Sequence, residues 1–394
     1  MAFNERFADL PAYAFPRLRA LLDAYAPGGE PVAMTIGEPK HPAPQWLGEA
    51  LAAETAGFAV YPPNDGAPEL LAAIAAWIAR RHGATVAPDR LMVANGTREA
   101  LFNAALALCP EAKRGARPIV AMPNPFYQVY GVAARAAGAE PLYLEATAET
   151  GFLPDYEGLP PETLDRIAIA WICSPANPQG AVAPADYLAN LLALAEKHDF
   201  AVFADECYSE IWRTAPPPGL LGIAAATGAD PERAVVFNSL SKRSNVPGLR
   251  SGFVAAGPAG MARIRQLRAY AGAPVPLPIQ RVSARLWADE AHVAASLALY
   301  HAKFATADRI LEGLPGYRAP EGGFFLWLPV PGGDGEAAAL KLWRETGVRV
   351  LPGAYLARDT AAGNPGRGYI RVALVAPHDE MARGLERLRD GLFG

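Results

Sequence analysis

The chain has 394 residues, 51% hydrophobic and 19% charged, with a formal net charge of −4. That length exceeds the size at which one core usually keeps growing, so two domains are expected. The weakly acidic balance gives no support for nucleic-acid or anionic-membrane binding.

Cys109, Cys173 and Cys207 are odd in number, widely spaced and without a C-x-x-C pair. This argues against disulfides and a structural zinc site, and for a reducing compartment. The opening Met1-Ala2-Phe3-Asn4-Glu5-Arg6 lacks the basic segment and apolar run of a signal peptide. No stretch reaches the ~18 apolar residues that span a bilayer, so a cytoplasmic protein is expected.

In chain order, residues 68–82 read as a helix, with Leu70, Leu71, Ile74, Trp77 and Ile78 on one face. Residues 90–256 then alternate short apolar runs with helical patterns. Strands are expected at 90–95, 118–122, 140–144, 167–173, 201–204, 234–238 and 252–256, and helices at 98–109, 127–138 and 184–198. Most of the strand runs are continuously apolar, which is how strands buried on both faces read. This rhythm predicts an α/β fold with a mostly parallel, seven-stranded sheet covered by helices.

The texture changes after Pro274-Val275-Pro276-Leu277-Pro278. A long helix is expected over 279–312, strands at 324–329, 348–351 and 369–374, and a final helix at 377–392. The expected division is a large domain at 41–275 and a smaller α+β domain at 276–394, to which residues 1–40 contribute.

Polar clusters stand at the ends of the predicted strands, where sites in open α/β sheets gather. Asn95-Gly96-Thr97-Arg98 follows a strand and opens a helix, an arrangement suited to an anion. Read alone, it is equally a helix cap by Thr97. Ser174-Pro175-Ala176-Asn177-Pro178-Gln179-Gly180 ends another strand; alone it is a Pro/Gly turn. Asp205, with Tyr208 three residues on, ends a third, and alone it reads as a helix cap. Ser239-Leu240-Ser241-Lys242 with Arg250 ends a fourth, where the ordinary reading of Lys242 is a solvated surface lysine. The chain has six lysines, at 40, 113, 197, 242, 303 and 341, so the choice of a reactive amine is narrow.

Taken together, an amine for an aldehyde, a carboxylate for a pyridinium nitrogen and a cation for a phosphate suit a pyridoxal 5′-phosphate (PLP) Schiff base at Lys242. No metal is called for.

From about residue 36 to about residue 375 the chain resembles the fold type I PLP-dependent aminotransferases of classes I and II. The motifs in order are Gly37-Glu38-Pro39, Tyr61, Asn95-Gly96-Thr97, Pro125-Phe126-Tyr127, Asn177-Pro178-x-Gly180, Asp205-x-x-Tyr208, Ser239-x-Ser241-Lys242, Arg250 and Arg371. Gln179 stands where the family usually has threonine.

The resemblance implies that Lys242 is the Schiff-base and proton-transfer lysine and Asp205 the pyridinium partner. Asn177 and Tyr208 would bind the ring hydroxyl oxygen, and Tyr127 would stack on the ring. It also implies a phosphate cup of Gly96, Thr97, Arg98, Ser239 and Arg250, with Ser241 among the cofactor-binding residues. Tyr61 would reach the phosphate of a neighbouring subunit, hence a homodimer with shared sites. Arg371, helped by Gly37 and Asn177, would hold the substrate carboxylate.

Residues 37–42 (Gly37-Glu38-Pro39-Lys40-His41-Pro42) and 241–253, with the opening Tyr13-x-Phe15-Pro16-x-Leu18, look like the bacterial succinyldiaminopimelate transaminases of lysine biosynthesis. The implied partners are small amino acids and 2-oxo acids: N-succinyl-L,L-2,6-diaminopimelate as amino donor and 2-oxoglutarate as acceptor. Lys40, Arg17 and Arg19 are candidates for the distal carboxylates; Lys40 also reads as a solvent-facing lysine, and Arg17 and Arg19 as solvated helix residues. An aminotransferase for aspartate, alanine or aromatic amino acids and a PLP carbon–sulfur lyase remain as alternatives. A PLP-binding regulator would need a basic helix-turn-helix segment, and none is left over.

Overall fold

A computed structural model describes residues 5–8, 10 and 12–394. The expectation for Met1 to Asn4 lies outside the described residues. In chain order the strands are β1 (Val32–Ala33), β2 (Leu91–Ala94), β3 (Ile119–Asn124), β4 (Glu140–Glu145), β5 (Ile167–Cys173) and β6 (Ala201–Asp205). They continue with β7 (Ala234–Ser239), β8 (Gly252–Ala255), β9 (Phe325–Pro329), β10 (Val348–Arg349), β11 (Leu351–Pro352) and β12 (Tyr369–Ala373).

The main sheet runs β2-β8-β7-β6-β5-β3-β4. Only β8 opposes its neighbours, β2 and β7; the pairings among β3, β4, β5, β6 and β7 are parallel. The seven expected strands are the seven observed, to within a residue or two at the ends.

The apolar runs are continuous because the sheet is covered on both sides. Along β7, Ala234 and Val236 enter one core while Val235 and Phe237 enter the other. The first core holds the helix Pro68–His82, its Trp77 ring 4.7 Å from Trp287. The layer on the opposite face of the same sheet holds the helices Thr97–Leu108 and Val129–Ala136, with Trp171 stacked 4.4 Å from Tyr130. Truncating one such buried tryptophan costs about 3–5 kcal/mol, so these layers fix the strand ends firmly.

A second core gathers β9, β12, the helix His378–Phe393 and most of the helix Ala291–Leu311. β11, β12 and β9 form an antiparallel sheet, and β1 pairs parallel with β10 through Val32 to Val348. Early residues therefore join this C-terminal layer. Ala14, Leu18 and Leu22 of the helix Ala14–Leu22 pack on it too, against Trp327, Trp343 and Tyr355. Among the described residues, no helix is long and apolar enough to cross a membrane.

Two expectations need correction. The predicted helix over 279–312 is two helices, Leu277–Ala288 and Ala291–Leu311. Asp289 breaks it: its backbone is extended (φ −94°, ψ 114°) and its side chain accepts from the Ala291 N–H at the start of the second helix. The predicted strand 348–351 divides at Val350, its first half pairing with β1 and its second with β12. Apolar pattern alone cannot say that one run serves two sheets.

Candidate active site

The carboxyl ends of β2, β3, β5, β6 and β7 share one edge of the main sheet, and the residues just past them enclose a cavity of about 430 Å³. Antiparallel β8 starts at that edge, so Arg250 arrives there as well. Thr97, Arg98, Tyr127, Asn177, Asp205, Tyr208, Ser239, Ser241, Lys242 and Arg250 all line the cavity, and Gly37 and Arg371 close it from the other side.

The helix Thr97–Leu108 starts at Gly96, whose φ of 78° is left-handed; no side chain caps it, so the Thr97 cap is not realised. A Cβ at Gly96 would stand 2.4 Å from the Arg250 guanidinium, so glycine lets the cation close over the turn. Arg250, itself at φ 55°, donates to Asn95 O and Pro247 O. Ser239 Oγ accepts from the Ser241 N–H at 3.2 Å. The Arg98 guanidinium bonds instead to Tyr127 Oη at 2.9 Å.

Asp205 is buried at the end of β6. Its carboxylate accepts from Tyr130 Oη at 2.7 Å and from the Cys207 N–H at 3.3 Å. Burial pushes the Asp205 carboxyl above its ordinary range, and these bonds only oppose that. Its bonded partners are neutral, so a cation in the cavity would complete it. Lys242 sits in the short helix Leu240–Arg243 after β7, its Nζ donating to Gly37 O and 5.6 Å from the Phe324 ring. Burial pulls its ammonium down to about 8.

Arg371, on β12, is buried. It donates to Asn177 Oδ1 at 2.9 Å and Thr35 O at 2.7 Å, lies 4.1 Å from the Phe325 ring, and has an unpartnered buried Nε. Burial lowers it to about 10. A buried guanidinium with no carboxylate among its bonded partners suits an incoming carboxylate.

The structure leaves five named residues outside the cavity lining, one of them Gly96, which lies beneath the Arg250 guanidinium. Tyr61 is 99% exposed. Lys40 is exposed and paired with Glu38 at 2.5 Å. Arg17 lies 3.8 Å over the Tyr355 ring and 3.9 Å from Glu336, and Arg19 is exposed. Sequence reasoning missed Tyr130 as the support of Asp205; the available signal was its place three residues after Tyr127, one helical turn away. It also missed Phe325, which faces Arg371 and against which a Cβ at Gly37 would stand at 2.5 Å.

Residues 30–388 match the profile of aminotransferase class I and II. The chain belongs to this family. It is 31% identical to an LL-diaminopimelate aminotransferase of Dehalococcoides mccartyi, over 98% of each chain. It is 34% identical to 4-dedimethylamino-4-oxo-anhydrotetracycline transaminase of Streptomyces rimosus, over 91% of this chain and 92% of that one. An aminotransferase of Neisseria meningitidis Z2491 superposes with a TM-score of 0.93 at 38% identity, over 98% and 99% of the two chains.

As a class I and II aminotransferase the protein is PLP-dependent and acts on amino acid and 2-oxo acid substrates. The residues present fit the cofactor: a buried carboxylate whose bonded partners are neutral, an amine of lowered pKa, and a glycine turn closed by an arginine stand at one cavity.

Proposed function

We propose that the chain transfers the amino group of N-succinyl-L,L-2,6-diaminopimelate to 2-oxoglutarate, giving N-succinyl-2-amino-6-oxopimelate and glutamate. The supporting observation is spatial. Residues 37–42 and the loop after Lys242, the two segments that carry the sequence resemblance, meet: Asn245 Nδ2 reaches Pro42 O at 3.5 Å, and both Asn245 and His41 bond Ser296.

Lys242 would hold the cofactor aldehyde. Asp205 would keep a proton on the ring nitrogen, Asn177 and Tyr208 would bond the ring oxygen, and Tyr127 would cover the ring. The phosphate would lie on the Gly96, Thr97 and Arg98 turn with Ser239, Ser241 and Arg250. When bound, PLP supplies the electron sink for charge left at the substrate Cα.

Arg371 grips the α-carboxylate and orients the Cα–H bond towards Lys242. The Lys242 amine would take the Cα proton and hand the same proton on across the amino nitrogen, a 1,3-shift that consumes no other acid or base. Its lowered pKa keeps a working fraction of free amine near neutral pH. Exposed Tyr61 is proposed to complete the site of a second copy in a homodimer, in a cytoplasmic setting. The proposed domain division is 41–275 against 1–40 with 276–394. The helix Leu277–Ala288 lies beyond that boundary yet packs in the main-sheet core through Leu286 and Trp287. Of the three distal-carboxylate candidates, Lys40 is the proposed one, because it follows cavity-lining Gly37 by three residues. It must leave Glu38 to serve.

A second reading, transamination of free LL-diaminopimelate, is favoured by the name of the Dehalococcoides relative. A donor screen decides. Succinyldiaminopimelate with 2-oxoglutarate should yield glutamate at least about tenfold faster than LL-diaminopimelate, a difference of roughly 1.4 kcal/mol. A faster free diaminopimelate establishes the second reading. Preference for alanine or aspartate, or release of pyruvate and ammonia from cystathionine, defeats both.

A further inference from the structure

The three residues after Lys242 each bond the junction between the helices Leu277–Ala288 and Ala291–Leu311. Arg243, fully buried, donates to Leu286 O and to Glu290 Oε1, both at 2.7 Å, with its guanidinium 5.0 Å from the Trp287 ring. Ser244 Oγ lies 2.8 Å from His292 Nε2. Asn245 Nδ2 donates to Ser296 Oγ at 3.0 Å. This junction is where the chain leaves the main-sheet core, which holds Leu286 and Trp287, for the core of β9 and β12, which holds Tyr300 and Phe304.

Ser296 does more than receive that bond. Its hydroxyl also lies 3.3 Å from His41 Nδ1. His41 belongs to the segment whose Gly37 carbonyl accepts from Lys242 Nζ. A closed circuit results: from Lys242 along its loop to Asn245, across Ser296 to His41, and back through Gly37. The same helix packs at its later turns in the core that holds β12, the strand of Arg371. Burial, aided by Lys303, lowers His41 to about 4, so the ring is neutral at ordinary pH and no charge opposes the hydroxyl bridge. Buried, polar and bonded on two sides, Ser296 is poised to set the relative position of both segments.

We propose that Ser296 is a positioning residue for Lys242: its hydroxyl holds the lysine loop and residues 37–42 in one register, so that carboxylate binding at Arg371 is relayed to the amine. This rests on the roles proposed for Lys242 and Arg371. A mere structural staple would affect stability and nothing else.

The test uses the PLP-loaded protein with Ser296→Ala, Asn245→Gly and both together. Asn245 has a left-handed φ of 56°, which glycine keeps at no steric cost. Each single change should move the pH midpoint of the cofactor's visible absorbance by about half a unit or more and lower kcat about tenfold. Glutarate, a non-reacting dicarboxylate, should shift that midpoint in the parent and shift it less in each single variant. The double variant should go no further than the larger single effect, as expected for one shared contact. Ser296→Thr, which keeps the hydroxyl, should recover kcat to within about threefold of the parent. Unchanged midpoint and kcat in the singles, or additive effects in the double, overturns the proposal. If Ser296→Ala does not fold, the midpoint and kcat of Asn245→Gly alone decide it in the same way. An absorbance that does not titrate in the parent, or that survives Lys242→Ala, defeats the reading of Lys242 instead.

Discussion

The two ends of the cavity are built differently. The floor is made by one sheet: the Gly96 turn, Asn177, Asp205, and the run from Ser239 to Lys242 each follow the carboxyl end of a strand, and the strands share an edge. The opposite wall is assembled from distant stretches, with Tyr13 and Phe15, Gly37, Phe325 and Arg371 meeting from both termini. A strand end delivers its next residue to a place set by local chain direction. The other wall exists only after the second core has formed.

Four variants sharpen the contrast. Lys242→Ala should have the largest effect, lowering turnover by at least about 10⁴-fold; single-turnover mixing with glutamate measures it, and near-parent turnover would refute the floor assignment. Arg371→Ala tests the wall. Removing one partner of a buried charged contact costs about 2–5 kcal/mol, so kcat/KM for carboxylate donors should fall by roughly 10²–10³-fold with the fold intact. A loss confined to one donor would mean that Arg371 reads a distal group rather than the common α-carboxylate.

Tyr130→Phe removes the 2.7 Å bond to Asp205 without changing ring packing on Trp171. Leaving a buried carboxylate short of a donor costs about 1–3 kcal/mol. Fluorescence titration should show PLP affinity down about tenfold, and unchanged affinity would show that the floor does not need this support.

The smallest effect lies away from both ends. Lys303 is buried, with its Nζ donating to Val375 O, and burial lowers it from an ordinary 10.5 to about 8. Between these values the unfolded chain binds more protons than the folded one, so this group's contribution to stability rises with pH; below 8 its full cost is present. Lys303→Met removes that charge cost but also leaves Val375 O without its donor, so the net gain at pH 7 should stay below about 1 kcal/mol. The gain should shrink as pH rises towards 10.5, as chemical unfolding at several pH values will show. A gain independent of pH would place the cause in packing rather than charge.

The same contrast explains what could be read beforehand. Most main-sheet strands were legible because burial on both faces leaves continuous apolar runs such as 167–173; the edge strand β4, only partly buried, was read from its position in the rhythm. The floor followed, since strand ends and motif spacing are properties of the chain itself. Tyr130 escaped because its bond to Asp205 spans 75 residues and ordinary helix periodicity already accounts for it. The break at Asp289 escaped because two acidic residues, Asp289 and Glu290, between apolar stretches do not interrupt a helical pattern. Lys40, Arg17 and Arg19 were plausible as cations near a carboxylate site, yet Glu38, Tyr355 and Glu336 stand beside two of them, and none of the three lines the cavity.

By itself the sequence placed an amine, a carboxylate and a cation at successive strand ends, because hydrophobic period and turn residues fix local chain direction. Only the tertiary structure decided what faces them. It placed Phe325 against Gly37, joined Arg371 to Asn177, and brought His41 and Asn245 to one hydroxyl on a helix some fifty residues beyond Asn245. Those contacts arise from packing between the two cores, a long-range balance of burial and hydrogen bonding that no local pattern encodes.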